Sequence, residues 1–337
     1  MSRPCVLCGR QAVAEFLNLG RTALANKFLT KEELASATEE RYPLRIGFCR
    51  TCAHVQLTEL VPPSAMFEDY LYVSAASSTL QQHFEDLSAV LVERHALSDR
   101  DLVMDIGCND ATLLAAFKRR GVRTLGVDPA RNLAELAREL GIDRYTGFFT
   151  ANTAAEIVER WGRAALVTAT NTFPHIPDLH DFVDGITTVL APGGSFVIEA
   201  HYLLDLVEQL AFDTVYHEHV SYWGIGPMTR LFEMHGMRIV DAERLPLHHG
   251  QLRVTVRREG EGEPRPGVTA ILEREHEAGL DRYETFERFA ARTAQLKIDL
   301  NGLLAGLRSE GKRIAAYGAP AKGQHAARIL RARPWTD

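Results

Sequence analysis

The stretch Val103-Met-Asp-Ile-Gly-Cys-Asn-Asp110 constrains this chain more than any other. Apolar residues and an aspartate lead straight into Gly107, and residues 111–118 then read as a helix. A strand that ends in Asp-x-Gly and turns at once into a helix N-terminus leaves free backbone N–H groups beside a ligand. Without a side chain, Gly107 lets that ligand touch the main chain. One β-α unit later, Arg123-Thr-Leu-Gly-Val-Asp128 is a second short strand ending on an acid, a two-oxygen acceptor suited to a ribose diol. This is the grammar of an α/β, doubly wound sheet that holds an adenosine cofactor at its carboxyl edge.

The turn is not the nicotinamide fingerprint. Asn109-Asp110-Ala111 fill the places of the later glycines, and no Gly-Lys-Ser/Thr follows. An acid-rich turn with one essential glycine suits a cationic, phosphate-free cofactor, and S-adenosylmethionine fits that description. The plainer alternative is an ordinary α/β turn.

Of five cysteines, four fall in two pairs, Cys5-x-x-Cys8 and Cys49-x-x-Cys52. Such spacing points to a closed tetrahedral zinc site, with a redox pair as the weaker alternative. Four thiolates leave no open position for catalysis, so the zinc is read as structural. Cys108, in the cofactor turn, is read as a small packing residue.

A net charge of −6 lacks the basic field of a general nucleic-acid binder. No apolar run is long enough to span a bilayer and no signal core follows the N-terminus, so a cytoplasmic protein is expected. Three regions are expected: a zinc module and connector at 1–75, a cofactor domain at 76–258, and a long helical stretch with a partial α/β unit at 259–337. In the first region a helix is expected over 31–37 and a strand over 44–48. Residues 80–95 show helical periodicity. Strands of a parallel sheet are expected near 102–106, 123–127, 165–169, 195–199, 238–241 and 251–257. A helix over 178–190 is marked by Pro177-Asp178, and Ala191-Pro-Gly-Gly194 reads as a turn. Residues 268–310 read as helix, broken near Gly279.

The densest chemical constellation is Tyr216-His217-Glu218-His219, a phenol, two imidazoles and a carboxylate in four residues. Imidazole can take a proton from carbon acidified by a neighbouring ketone, and a phenol can hydrogen-bond the enolate oxygen. His175, after the fourth strand of the sheet, is expected on the same edge. The competing reading is a buried polar turn capping the sheet. A catalytic metal is disfavoured because no third ligand is evident beside the two histidines. Arg253, on the last strand, could pair with a substrate phosphate or be a routine surface arginine. Lys322, at a strand-turn-helix junction, is similarly ambiguous.

These motifs together resemble the S-adenosylmethionine-dependent sugar C-methyltransferases of deoxysugar biosynthesis, of the tetronitrose C-3'-methyltransferase type. The resemblance rests on the paired Cys-x-x-Cys module, Asp105-Ile-Gly-Cys-Asn-Asp110 and Gly126-Val-Asp-Pro129. It extends through His175-Ile, Tyr216-His-Glu-His219, Gly250-x-Leu-Arg253 and Tyr317-Gly-Ala-Pro-Ala-Lys-Gly323. It implies a Rossmann-like class I methyltransferase sheet, an N-terminal zinc-binding domain and a C-terminal α/β segment, here expected to be shortened. It implies that His219 deprotonates the carbon next to the ketone of a nucleotide-linked 4-keto sugar, with Tyr216, Glu218 and His175 as polar neighbours. Asp105, Gly107, Asn109, Asp128 and Asn171 would hold the cofactor, and Tyr72, His217, Arg253 and Lys322 the substrate. Ala111 stands where the family usually has glycine. Two alternatives are a C- or O-methyltransferase of a non-sugar acceptor and a degenerate homologue acting as a binding subunit. A small-molecule partner is expected in the first two cases. The residues do not fix an oligomeric state.

Overall fold

The computed structural model describes residues 3–28, 30–36, 40–247 and 250–315. Near the N-terminus, β1 (Val13–Thr22), β2 (Tyr42–Cys49) and β3 (Val55–Leu57) form an antiparallel sheet. The two cysteine pairs meet beside it in matching turns. Gly9 N donates to Cys5 O (2.8 Å) and Ala53 N to Cys49 O (2.9 Å), and both Gly9 and Ala53 are left-handed, at φ +69° and +59°. The four Sγ atoms lie within 4.8 Å of one another, with Cys5–Cys52 at 3.5 Å and Cys8–Cys49 at 3.6 Å. Tetrahedral thiolates about 2.3 Å from zinc stand about 3.8 Å apart, so the set fits a zinc ion and not a disulfide.

Beyond β3 come β4 (Leu102–Ile106), β5 (Arg123–Asp128), β6 (Asp143–Thr146), β7 (Ala164–Thr170) and β8 (Leu190–His201). They are followed by the two-residue β9 (Ser221–Tyr222), β10 (Met237–Leu245) and β11 (Gln251–Arg258). All of these but β9 form a seven-stranded sheet in the order β10-β11-β8-β7-β4-β5-β6. Strand order reverses between β4 and β7, which opens a crevice at their carboxyl ends. The expected strands of this sheet all form. The parallel arrangement holds from β6 across to β8, but β11 runs antiparallel to both neighbours, because the short connection from β10 permits only a hairpin. This is the mixed sheet of class I methyltransferases. β9 leaves it and pairs with β3, so the zinc module's sheet takes its fourth strand from residues far along the chain.

Four strands escape sequence periodicity. Two register shifts break the alternation of β1, β3 has three residues, β6 is a polar edge and β9 has two residues. Ala191–Gly194 is not a turn but the irregular start of β8. Leu190 pairs with Ala164 and Ser195 with Leu166, so extra residues bulge from a continuous ladder.

The helices follow their caps. Ser77 caps Ser78–Arg94, whose Leu80, Phe84, Leu87 and Leu91 pack on the sheet, and Asp178 caps Leu179–Val189. Helix Pro266–Ala278 ends at left-handed Gly279, and Tyr283–Ser309 follows. The latter lays Phe286 against Phe16 and Phe48, with both ring pairs 5.1 Å apart, and its Tyr283 hydroxyl donates to Glu15 O. One continuous apolar core therefore joins the zinc module, the large sheet and the C-terminal helices. Among the described residues no helix is long and apolar enough to cross a membrane. The α/β unit expected after residue 312, with Lys322 and the Tyr317–Gly323 motif, lies outside the described residues, as do His248 and His249.

Ala53 holds a conformation that glycine adopts without cost. Ala53→Gly should therefore stabilise the protein by about 0.5–1 kcal/mol, read as a rise of about 2 °C in the melting midpoint, whereas Gly9→Ala should lower it.

Candidate active site

A cleft of about 1160 Å³ opens at the carboxyl ends of β4, β5, β7 and β8. Single-ligand pockets span about 300–1,000 Å³, so this one has room for a cofactor and an acceptor. One end is acidic. Asp105 closes β4 and is buried, and its carboxylate accepts from Thr168 Oγ1 on β7 at 2.7 Å. Burial pushes its pKa up to about 7. Asp128 closes β5 and accepts from Asn109 N and Ala130 N, both at 2.8 Å, and from the Arg144 guanidinium at 3.1 Å. Burial also raises the pKa of Asp128.

Gly107 lines the cleft at φ +74°, and a Cβ there would collide with the Thr172 side chain. The glycine is thus required by the close approach of the β4 and β7 ends as well as by any ligand. Asn109 and Asn171 also line the cleft, and both are left-handed, at φ +53° and +57°. Their amides face protein. Asn109 Nδ2 donates to Tyr72 O (2.9 Å) and its Oδ1 accepts from Ser74 N (3.0 Å), while Asn171 Oδ1 accepts from Gln251 Nε2 (2.6 Å). The Asn109-Asp110 turn therefore fastens the connector, with Asp110 accepting from Ala75 N at 2.7 Å. Cys108 is buried against Gly126 and burial pushes its thiol up, as suits packing rather than nucleophilic attack.

The other end carries aromatic and imidazole groups. His219 Nδ1 donates to the Thr214 carbonyl at 2.8 Å, since a carbonyl can only accept. This assigns the proton to Nδ1 and leaves a lone pair on Nε2, which faces the Tyr216 hydroxyl at 2.9 Å. Burial holds the Tyr216 phenol well above its ordinary value, so the hydroxyl is the donor. His175 stacks on Phe67, with ring centroids 5.2 Å apart, and its ring lies 5.3 Å from that of His219. His201, at the end of β8, flanks His219 on another side at 4.9 Å.

The candidate residues thus divide. Asp105, Gly107, Asn109, Asp128, Asn171, Tyr72, His175, Tyr216 and His219 share the cleft. Glu218 is buried behind its wall, where it accepts from Asn26 Nδ2 (2.7 Å) and Tyr70 Oη (3.0 Å). His217 turns from the cleft toward the zinc module and donates through Nε2 to Tyr42 O at 3.3 Å. Arg253 is buried against Glu199, at 2.7 Å, with His83 on the same carboxylate. Asn26, Tyr70, His201 and Asp213 line the cleft without having been singled out by sequence motif. For His201 a signal existed, its place at a strand's carboxyl end; Asn26 had none.

A cationic cofactor stabilises the ionised form of Asp105. In the ligand-free protein a carboxyl raised to about 7 opposes folding progressively as pH climbs from about 4 to 7, because the native state keeps its proton longer. Binding of S-adenosylmethionine should reverse that penalty. Its calorimetric affinity should rise with pH, by at most about tenfold per unit below 7, and level off above. Asp105→Asn should flatten the profile; a wild-type affinity independent of pH from 5 to 8 would exclude this role.

Three family models match successive stretches of the chain. They are described as "Putative zinc binding domain" over residues 5–67, "Methyltransferase domain" over 79–242 and "C-methyltransferase C-terminal domain" over 246–332. The C-methyltransferase NovU of Streptomyces niveus is 37% identical over 320 residues, covering 95% of this chain and 76% of NovU. The ubiquinone biosynthesis O-methyltransferase of Chromobacterium violaceum is 29% identical over 108 residues, 31% of this chain and 45% of that protein. Among solved structures, magnesium protoporphyrin IX methyltransferase from Synechocystis PCC 6803 with bound SAH is similar at a TM-score of 0.42 and 12% identity, over 53% of this chain and 83% of that one. The likeness to NovU along nearly the whole chain, a cysteine set that fits zinc and a methyltransferase domain carrying an acidic cofactor cleft lead to one conclusion: this chain belongs to the S-adenosylmethionine-dependent C-methyltransferase family that includes NovU.

Proposed function

We propose that the enzyme methylates the carbon next to the ketone of a nucleotide-linked 4-keto deoxysugar. The observation that supports this most is the Tyr216–His219 pair. Its fixed tautomer presents a basic nitrogen through a phenol at the aromatic end of the cleft. An O-methyltransferase has no need of such a carbon base.

S-adenosylmethionine, when bound, supplies an electrophilic methyl group on a sulfonium. Asp105 and Asp128 would hold it, Asp105 by charge and Asp128 through lone pairs left beside Asn109 N and Ala130 N. The C–H bond next to the ketone breaks as its proton passes to the Tyr216 oxygen and the Tyr216 proton passes to His219 Nε2. The C–H electron pair stays on the substrate as an enolate, and the carbon becomes nucleophilic. The Thr214 carbonyl, already bonded to Nδ1–H, stabilises the resulting imidazolium. His175, whose ring lies 5.3 Å from that of His219, would hydrogen-bond the enolate oxygen. Glu218 would act on the substrate indirectly, through groups such as Asn26 and Tyr70 that it holds.

Mass spectrometry of reactions with S-adenosylmethionine and a panel of nucleotide 4-keto sugars in deuterated water tests this. One added methyl is expected, with deuterium entering the carbon next to the ketone when cofactor is withheld. His219→Gln and Tyr216→Phe should each lower both signals by about 10²–10⁴. Deuterium uptake retained in Tyr216→Phe would make His219 the direct base. Absence of methyl and deuterium on every sugar, despite cofactor binding, would overturn the sugar assignment in favour of a non-sugar ketone.

A further inference from the structure

The segment between Tyr216 and Trp223 touches the zinc module at almost every residue. Asn26 Nδ2 donates to Glu218 Oε1 at 2.7 Å, and His217 Nε2 donates to Tyr42 O at 3.3 Å. Leu57 N donates to Val220 O at 2.9 Å, and β9 continues the ladder with Gln56 opposite Ser221 and Val55 opposite Tyr222. His54, two residues beyond a cysteine of the metal set, is hydrogen-bonded through Nε2 to Ser221 Oγ at 3.1 Å. Its ring lies 4.7 Å from that of Trp223. The His54 ring is fully buried, and Nδ1 has no hydrogen-bond partner among the described residues, so Nε2 carries the proton and Ser221 accepts it. By contrast, the carboxylates at the acidic end are held by the methyltransferase domain, by Thr168 on Asp105 and by Asn109, Ala130 and Arg144 on Asp128. The Asn109-Asp110 turn is bonded to the connector at residues 72–75 rather than to the metal-binding strands.

A loop whose backbone and side-chain hydrogen bonds run to a neighbouring module has its geometry set by that module. We infer that His54 and Asn26 of the zinc module are positioning residues for the Tyr216–His219 pair, so that metal loading fixes the proton-transfer end of the cleft and not the cofactor end. This rests on Tyr216 and His219 being the proton-moving groups. His54 aims the outgoing end of the loop, through Ser221 and Trp223. Asn26 holds one oxygen of the buried Glu218 carboxylate while Tyr70 holds the other, and removal of the amide would take a donor from a buried charge.

The test needs no acceptor. In the zinc-loaded full chain, amide hydrogen exchange is followed over residues 216–223 and 105–128, with zinc content, calorimetric affinity for S-adenosylhomocysteine and an NMR titration of His219. His54→Phe keeps an aromatic ring beside Trp223 but cannot bond Ser221. With zinc still bound, His54→Phe and Asn26→Ala should each raise exchange over 216–223 at least tenfold and shift the His219 titration. Affinity for S-adenosylhomocysteine should stay within twofold. His54→Gln, whose amide can still donate to Ser221, should restore protection. Chelation of the metal should reproduce the loop effect more strongly. Unchanged exchange over 216–223 in both variants would overturn the inference, as would equal loss of protection over 105–128 with loss of cofactor affinity. Failure of the proton-transfer assignment is separable in the substrate-exchange experiment above: His219→Gln would then keep deuterium uptake into substrate while loop protection still follows His54.

Discussion

The pairing of Ser221 and Tyr222 with β3 is the constraint on which the active site depends. The segment that follows the large sheet's fifth parallel strand cannot run freely across a buried cleft, because every buried N–H and C=O needs a partner. β9 finds those partners on the zinc module, while Trp223 O accepts from Leu203 N on the other side at 2.9 Å. The loop is thereby clamped between the zinc module's sheet and the start of the helix that follows β8, and Tyr216 and His219 are held between these anchors. The zinc module gains in return. Its three strands are too few to bury a core alone, and it stands by four thiolates, the added strand and the Phe286 side of the C-terminal helix.

The cleft is polarised along its length. Carboxylates stand at the cofactor end, each steadied by donors from the sheet or the turn. The opposite end carries a phenol and imidazoles. In the proposed reaction the base must be neutral before it takes a proton, and a carboxylate directly against it would favour the charged form. Glu218 would have that effect if it faced His219. Asn26 and Tyr70 instead occupy its two oxygens behind the wall.

Much of this was legible in the residues. Asp105, Gly107 and Asp128 could be placed at the cleft because a strand-turn-helix junction is a local grammar, and residues at a strand's end lie at the carboxyl edge. The cysteine set was found because two-residue spacing is a local geometry. Gly279 and Asp178 marked helix ends for equally local reasons. The sequence by itself therefore determined the principal strands and helices of the large sheet, the edge at which the cleft opens, the four-cysteine set and a short segment that brings a phenol and an imidazole to the cleft.

What only the tertiary structure decided is where each side chain of that segment points and what it meets. Tyr216-His-Glu-His219 belongs to no helix or strand, so no periodicity assigns its faces. His219 and Tyr216 turn to the cleft, His217 to Tyr42, and Glu218 to Asn26, a residue 192 positions away. Arg253 meets Glu199 because β11 pairs antiparallel with β8, a register that strand content alone does not specify. Contacts of that range depend on how sheets stack and which edges they share, and these are set by the packing of the whole core rather than by any local pattern.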